Sequence, residues 1–208
     1  MIDLAQHLQA VHREVSHTGA DNEMVAVVMR RTYQAEINDV WSAVTDPERV
    51  RRWFLPLTGD LRVGGSFQLE GNAGGDILDC ARPDRLRVTF GGPDSIVELR
   101  LAAVDESTTT LELDHRVPLA MAGSVAGSIF VGPGWDGAFL GLALFLAGEV
   151  ADDPVAAANS PEAQEYSRQS VDRWVDVSTR SGLASEDEIA GAKTMALAQY
   201  SPDMADQA

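Results

Sequence analysis

The chain has 208 residues, a net charge of −16, and 45% hydrophobic against 23% charged residues, with a pI near 4.4. That length suits one ordinary domain with appendages, able to bury a core without staples. The acidity argues against nucleic acid, which needs clustered Lys and Arg, and against an anionic membrane surface. The single cysteine, Cys80, excludes an intrachain disulfide and a cysteine metal site. The opening MIDLAQHLQAVHREV lacks a basic segment followed by an apolar one, so no secretory signal is read there and the cytoplasm is the expected location.

In chain order, Leu4, Leu8, Val11 and Val15 recur at helical spacing and predict a helical extension over 1–23. MVAVVMRRTY (24–33) is a β-branched strand signal. Val40, Trp41 and Val44 form a helix face. Asp46-Pro47-Glu48 opens a second short helix, with Asp as N-cap and Pro at the first position. Short alternating strands follow: Phe67/Leu69, then Leu86/Val88/Phe90, then Val97/Leu99/Leu101, then Leu111/Leu113/His115, punctuated by paired glycines. Their other face carries Arg87, Glu98, Arg100, Glu112 and Asp114, which predict cross-strand charge pairs in water. Asp76 and Asp79, three apart, are expected on opposite faces of a strand.

Val117–Trp135 is uncharged, but Gly132-Pro133-Gly134 is expected to break a helix there, and Asp136 interrupts the apolar run, so no membrane span is predicted. A helix over 135–148 is apolar on all sides: Phe139, Leu142 and Leu146 make one stripe, Leu140 and Leu144 another. Such a helix is buried all round. A sheet covers only part of it, and the tail, or else a second subunit, is expected to cap the rest. Ser160-Pro161 starts a helix running to Ser181-Gly182, with Tyr166, Ser170, Trp174 and Val177 on one face. Ser185 and Glu188 form a capping box opening a last helix, with Ile189, Ala192, Met195 and Ala196 inward. The expected organisation is an extension at 1–23, a main domain at 24–149, and a helical appendage at 150–208 packed on that domain.

Val40-Trp41, Thr45-Asp46-Pro47-Glu48, Trp53, Gly64-Gly65 with Phe67, Pro83-Asp84-Arg85-Leu86, His115 and Gly134-Trp135 occur in this order. Together they resemble the SRPBCC (START-like, birch-pollen-allergen-like) superfamily, in the branch related to the C-terminal domain of the activator of heat-shock protein ATPase. The resemblance covers about residues 24–149. It implies an α+β helix-grip fold: a curved antiparallel sheet wrapped around a long helix, with two small helices plugging one end. It also implies a cavity between sheet and helix for small apolar molecules. Members include ligand carriers, cyclase-like enzymes and co-chaperones, and fold alone does not choose among them.

No HExxH, P-loop, GxSxG or dinucleotide fingerprint occurs in the sequence. No catalytic residue, metal site or cofactor is therefore assigned. His115 is read as a hydrogen-bonded structural histidine near the cavity mouth, and Cys80 as structural. The expected function is binding of a small apolar or amphipathic ligand, without catalysis, by a monomer or homodimer that engages neither nucleic acid nor membrane. The expected lining is Trp53, Phe54, Phe67, Leu69, Val88, Phe90, Leu99, Leu113, His115, Trp135, Phe139, Leu142 and Leu146. The alternatives are a polyketide cyclase- or dehydratase-like enzyme using the same cavity with His115 as acid/base, and a co-chaperone-like stress protein.

Overall fold

The computed structural model describes residues 3–18 and 23–203. In chain order these form α1 (Leu4–Gln9), β1 (His12–Thr18), β2 (Met24–Tyr33), α2 (Ile37–Thr45), α3 (Pro47–Val50), β3 (Leu57–Gly59), β4 (Ser66–Leu69), β5 (Gly74–Ala81), β6 (Arg85–Thr89), β7 (Ile96–Asp105), β8 (Thr108–Pro118), α4 (Leu119–Ala122), α5 (Gly127–Leu146), α6 (Pro154–Ala158), α7 (Pro161–Ser181) and α8 (Glu186–Tyr200). The fold is α+β, with a curved, unclosed antiparallel sheet and the long helix α5 of a helix-grip. Strand order is β1-β2-β8-β7-β6-β5-β4-β3. Two compact units divide the chain. The first comprises 1–29, 117–140 and 156–208; the second comprises 30–116 and 141–155.

In the first unit, residues 12–18 are a strand and not a continuation of the N-terminal helix. Helix α1 spans only six residues, capped by Asp3. The misreading has a simple cause. A spacing of four, as from Val11 to Val15, returns to the same face in a strand as well as in a helix. Hydrogen bonding to β2 settles the matter in favour of the strand.

Helix α5 also departs from expectation. It runs unbroken through Gly132-Pro133-Gly134 and begins at Gly127 instead of Trp135. An interior proline costs about 3 kcal/mol, and tertiary packing offsets it here. A Cβ on Gly132 would lie 2.2 Å from the Trp174 ring, and one on Gly134 2.9 Å from the Tyr200 hydroxyl. The glycines are the grooves into which the tail aromatics sit. By length and composition α5 could cross a membrane, with a mean hydropathy of 1.6. In this fold it is the core helix, and it carries a fully buried carboxylate.

That carboxylate is Asp136, which is 0% exposed. The Arg13 guanidinium donates to both of its oxygens, at 2.7 to 3.2 Å. The Ser170 hydroxyl donates at 2.6 Å and the Trp174 indole N–H at 2.9 Å. The Tyr166 hydroxyl donates to the Asp136 carbonyl. Arg13 is completed by the Leu8 and Val11 carbonyls. A buried charge needs this degree of pairing. The residue read as an interruption of an apolar run therefore ties β1, α5 and α7 together.

Helix α7 starts and ends where its caps predict: the Ser160 side chain accepts from Ala163 N, and Gly182 closes it in the left-handed region. Tyr166, Ser170, Trp174 and Val177 are all buried. Helix α8 has the full capping box of Ser185 and Glu188. Its inward residues are Ala192 and Ala196, whereas Met195 is 60% exposed and Ile189 only half-buried. Small side chains suit the close approach of α8 to α7, so the expected capping role of Met195 is corrected.

In the second unit, Val40 and Trp41 of α2 are buried, and α2 packs on β7. The Asp46 side chain caps α3 by accepting from Glu48 N. Direct register aligns Ile77, Val88, Val97 and His115 across β5–β8, and Cys80, Leu86, Leu99 and Leu113 beside them. These rows form the apolar face. A bulge at Leu78 leaves Ile77 opposite Val88 and Asp79 opposite Arg87. The extra residue thus returns Asp76 and Asp79 to one face, the polar one, contrary to simple alternation.

That polar face is a charge ladder. Glu98 forms ion pairs with Arg87 and Arg100, and Glu112 with Arg100 and Arg30. The expected cross-strand pairs are present, with one correction. Asp114 is buried and pairs along its own strand with Arg116.

Candidate functional site

Within the second unit, the apolar face of β4–β8 is incompletely filled. Leu86 and Leu113 are buried, yet Leu99, which stands between them in register, is only half-buried. Cys80, at the other end of that row, is also half-buried. Phe67 and Phe90 stack at 6.3 Å, with an interplanar angle of 29°. Both are half-buried, while Leu69 and Val88 are buried.

The Trp53–Phe54 pair follows from the short helix α3. Its rings stack at 5.4 Å, and the Trp53 indole N–H donates to the Ala43 carbonyl at 3.0 Å, which fixes the ring against α2. The last turns of α5 pack on this pair. A Cβ on Gly141 would lie 2.9 Å from the Trp53 carbonyl oxygen, so glycine is what permits the approach. The Arg49 and Arg52 guanidinium groups lie 5.1 and 5.2 Å from the Phe145 ring centroid. Leu142 is buried and Leu146 half-buried. Trp135, half-buried, and Phe139, buried, lie on the part of α5 that belongs to the first unit.

His115 carries the row Ile77–Val88–Val97 on into β8. It is 8% exposed, and its Nε2 lies 2.9 Å from the Ser95 hydroxyl. The Phe90 ring meets it edge-on at 5.9 Å. Burial pushes its pKa down to about 4, against a weaker upward pull from Asp114. At neutral pH the ring is therefore uncharged. Ser95 was not found by sequence reasoning. Its only signal is a place in the turn GGPDS between two strands. The position of Cys80 on the apolar face was equally hidden, because the bulge resets the alternation.

Residues 34–144 match the family described as activator of Hsp90 ATPase homolog 1-like protein. The chain belongs to this family. Among solved structures, the crystal structure of CalU16 from Micromonospora echinospora is 36% identical, with a TM-score of 0.66, covering 82% of this chain and 99% of that one. The solution structure of the same protein gives 37% identity and a TM-score of 0.67, covering 83% and 97%. DynU16, from the dynemicin biosynthetic locus, is 28% identical with a TM-score of 0.51, covering 59% of this chain and 47% of that one. An Hsp90 activator from Plasmodium falciparum, 22% identical, covering 61% and 97%, with a TM-score of 0.51, shares the fold. No curated protein matches the chain. The AHSA1-like match spans β3–β8 and most of α5, begins after β1 and β2, and stops short of α7 and α8.

Proposed function

We propose that this AHSA1-like protein binds a small apolar or amphipathic molecule on the apolar sheet face of its second unit. The observation that carries the reading is Leu99, only half-buried between buried Leu86 and Leu113 on a face with no charged side chain in its central rows. A filled core leaves no opening in the middle of a row. The half-buried Phe67, Phe90, Trp53 and Phe54 add apolar surface with defined ring orientations. Burial supplies about 25 cal/mol per Å² before association costs. The similarity to DynU16, of a biosynthetic locus, supports a small-molecule role.

Titration with Nile red, an uncharged apolar dye, is the test. One saturable site of micromolar strength is expected, and Leu99→Trp should abolish it by occupying the opening. Arg100→Ala, on the polar face, should leave it unchanged. Dye binding that is unaltered in Leu99→Trp would refute the assignment.

A further inference from the structure

The two central rows of the apolar face hold aliphatic side chains and the Cys80 thiol, and only their His115 end is hydrogen-bonding in character. There His115 and Ser95 are joined at 2.9 Å, both buried. A continuous aromatic path leads to them: Phe67 stacks on Phe90, and Phe90 meets His115.

Building on the binding site proposed above, we infer that its ligand is a planar, uncharged molecule carrying a phenol-type hydroxyl, with its ring against Phe67–Phe90 and its hydroxyl on the Ser95–His115 pair.

Three features support this. The Phe67 and Phe90 rings lie within 29° of parallel and neither is fully buried, which offers a flat surface to a flat ring. A serine hydroxyl has one donor and two acceptor positions, and His115 uses one of them. Ser95 can therefore take a further partner whichever imidazole tautomer is present, and a hydroxyl both donates and accepts. Finally, the imidazole offers a carboxylate no counter-charge. His115 is held neutral by burial, and the neighbouring Asp114 carries a negative charge. Burying an unpaired anion is strongly unfavourable.

The experiment is displacement of Nile red from the full chain by naphthalene, 2-naphthol and 2-naphthoate. In the parent, 2-naphthol should compete about fivefold to tenfold better than naphthalene, the yield of one good hydrogen bond, and 2-naphthoate should compete worst. Ser95→Ala should erase the preference of naphthol over naphthalene, read as the ratio of the two competition constants within that variant, and Ser95→Thr, which keeps the hydroxyl, should retain it. Equal competition by naphthol and naphthalene in the parent, an undiminished preference in Ser95→Ala, or naphthoate competing as well as naphthol would each overturn the inference while leaving the binding site intact. If Nile red does not bind the parent at all, both readings fall together.

Discussion

Removing the Asp136 carboxylate gives the sharpest test of how the first unit is held. Asp136→Ala leaves the Arg13 guanidinium buried without its counter-charge; the two side chains are 6% and 0% exposed. Breaking a buried pair from one side costs about 3–5 kcal/mol. The Ser170 hydroxyl and Trp174 indole N–H lose their acceptor as well, at about 1 kcal/mol each. Part of this overlaps, because the cavity relaxes, so a loss of about 5 kcal/mol is expected. At about 2–4 °C per kcal/mol for a chain of this size, Tm should fall by about 10–20 °C. Urea unfolding followed by circular dichroism and by tryptophan emission would measure it. The double variant Arg13→Met with Asp136→Leu should recover most of the loss, since a well-packed apolar pair can replace a buried ion pair. A loss below about 1 kcal/mol in Asp136→Ala, or a double variant no better than the single one, would refute the account.

Two glycines of α5 should respond with opposite signs. Gly132→Ala drives a methyl into the Trp174 ring and should destabilise by about 3 kcal/mol. Gly137→Ala meets nothing within 4 Å and should stabilise by about 1 kcal/mol through helix propensity; thermal melts of both variants decide. For His115, a folded pKa near 4 against an ordinary 6.5 means that the unfolded chain binds the proton first as pH falls. Its contribution is present above pH 6.5 and is lost progressively towards pH 4, by up to about 3 kcal/mol. His115→Phe should flatten stability across that window, and an unchanged slope would show that another group dominates it.

Local signals were legible wherever the chain itself satisfies the backbone. The caps at Ser160, Gly182 and Ser185, and the Asp46-Pro47-Glu48 start, all function as the sequence implies. The alternation of β6, β7 and β8 likewise showed through, because one face is apolar and the other charged. What could not be read depends on partners distant in sequence. Helix α5 passes through Pro133 because aromatic side chains some 40 and 66 positions later pack against its glycines. The pairing of Asp136 with Arg13 spans 123 positions. Strand β3, only three residues long, carries too little pattern to detect. At the candidate site, the aromatic set was visible in the composition of the strands. The Ser95 partner of His115 and the inward turn of Cys80 depend on loop closure and on a bulge that no periodicity reports.

The seating of Trp174 against Gly132 also bears on how such a chain can drift. A larger residue at 132 is blocked while the indole is in place. A smaller one at 174 removes one of the three donors on the Asp136 oxygen that the indole N–H serves. Each position therefore sets the other's permitted alphabet, and a mutational path that alters either must pass through a less stable chain or change both together. The helix and the tail that grips it are thus constrained as one unit, even though the family match ends before that tail begins.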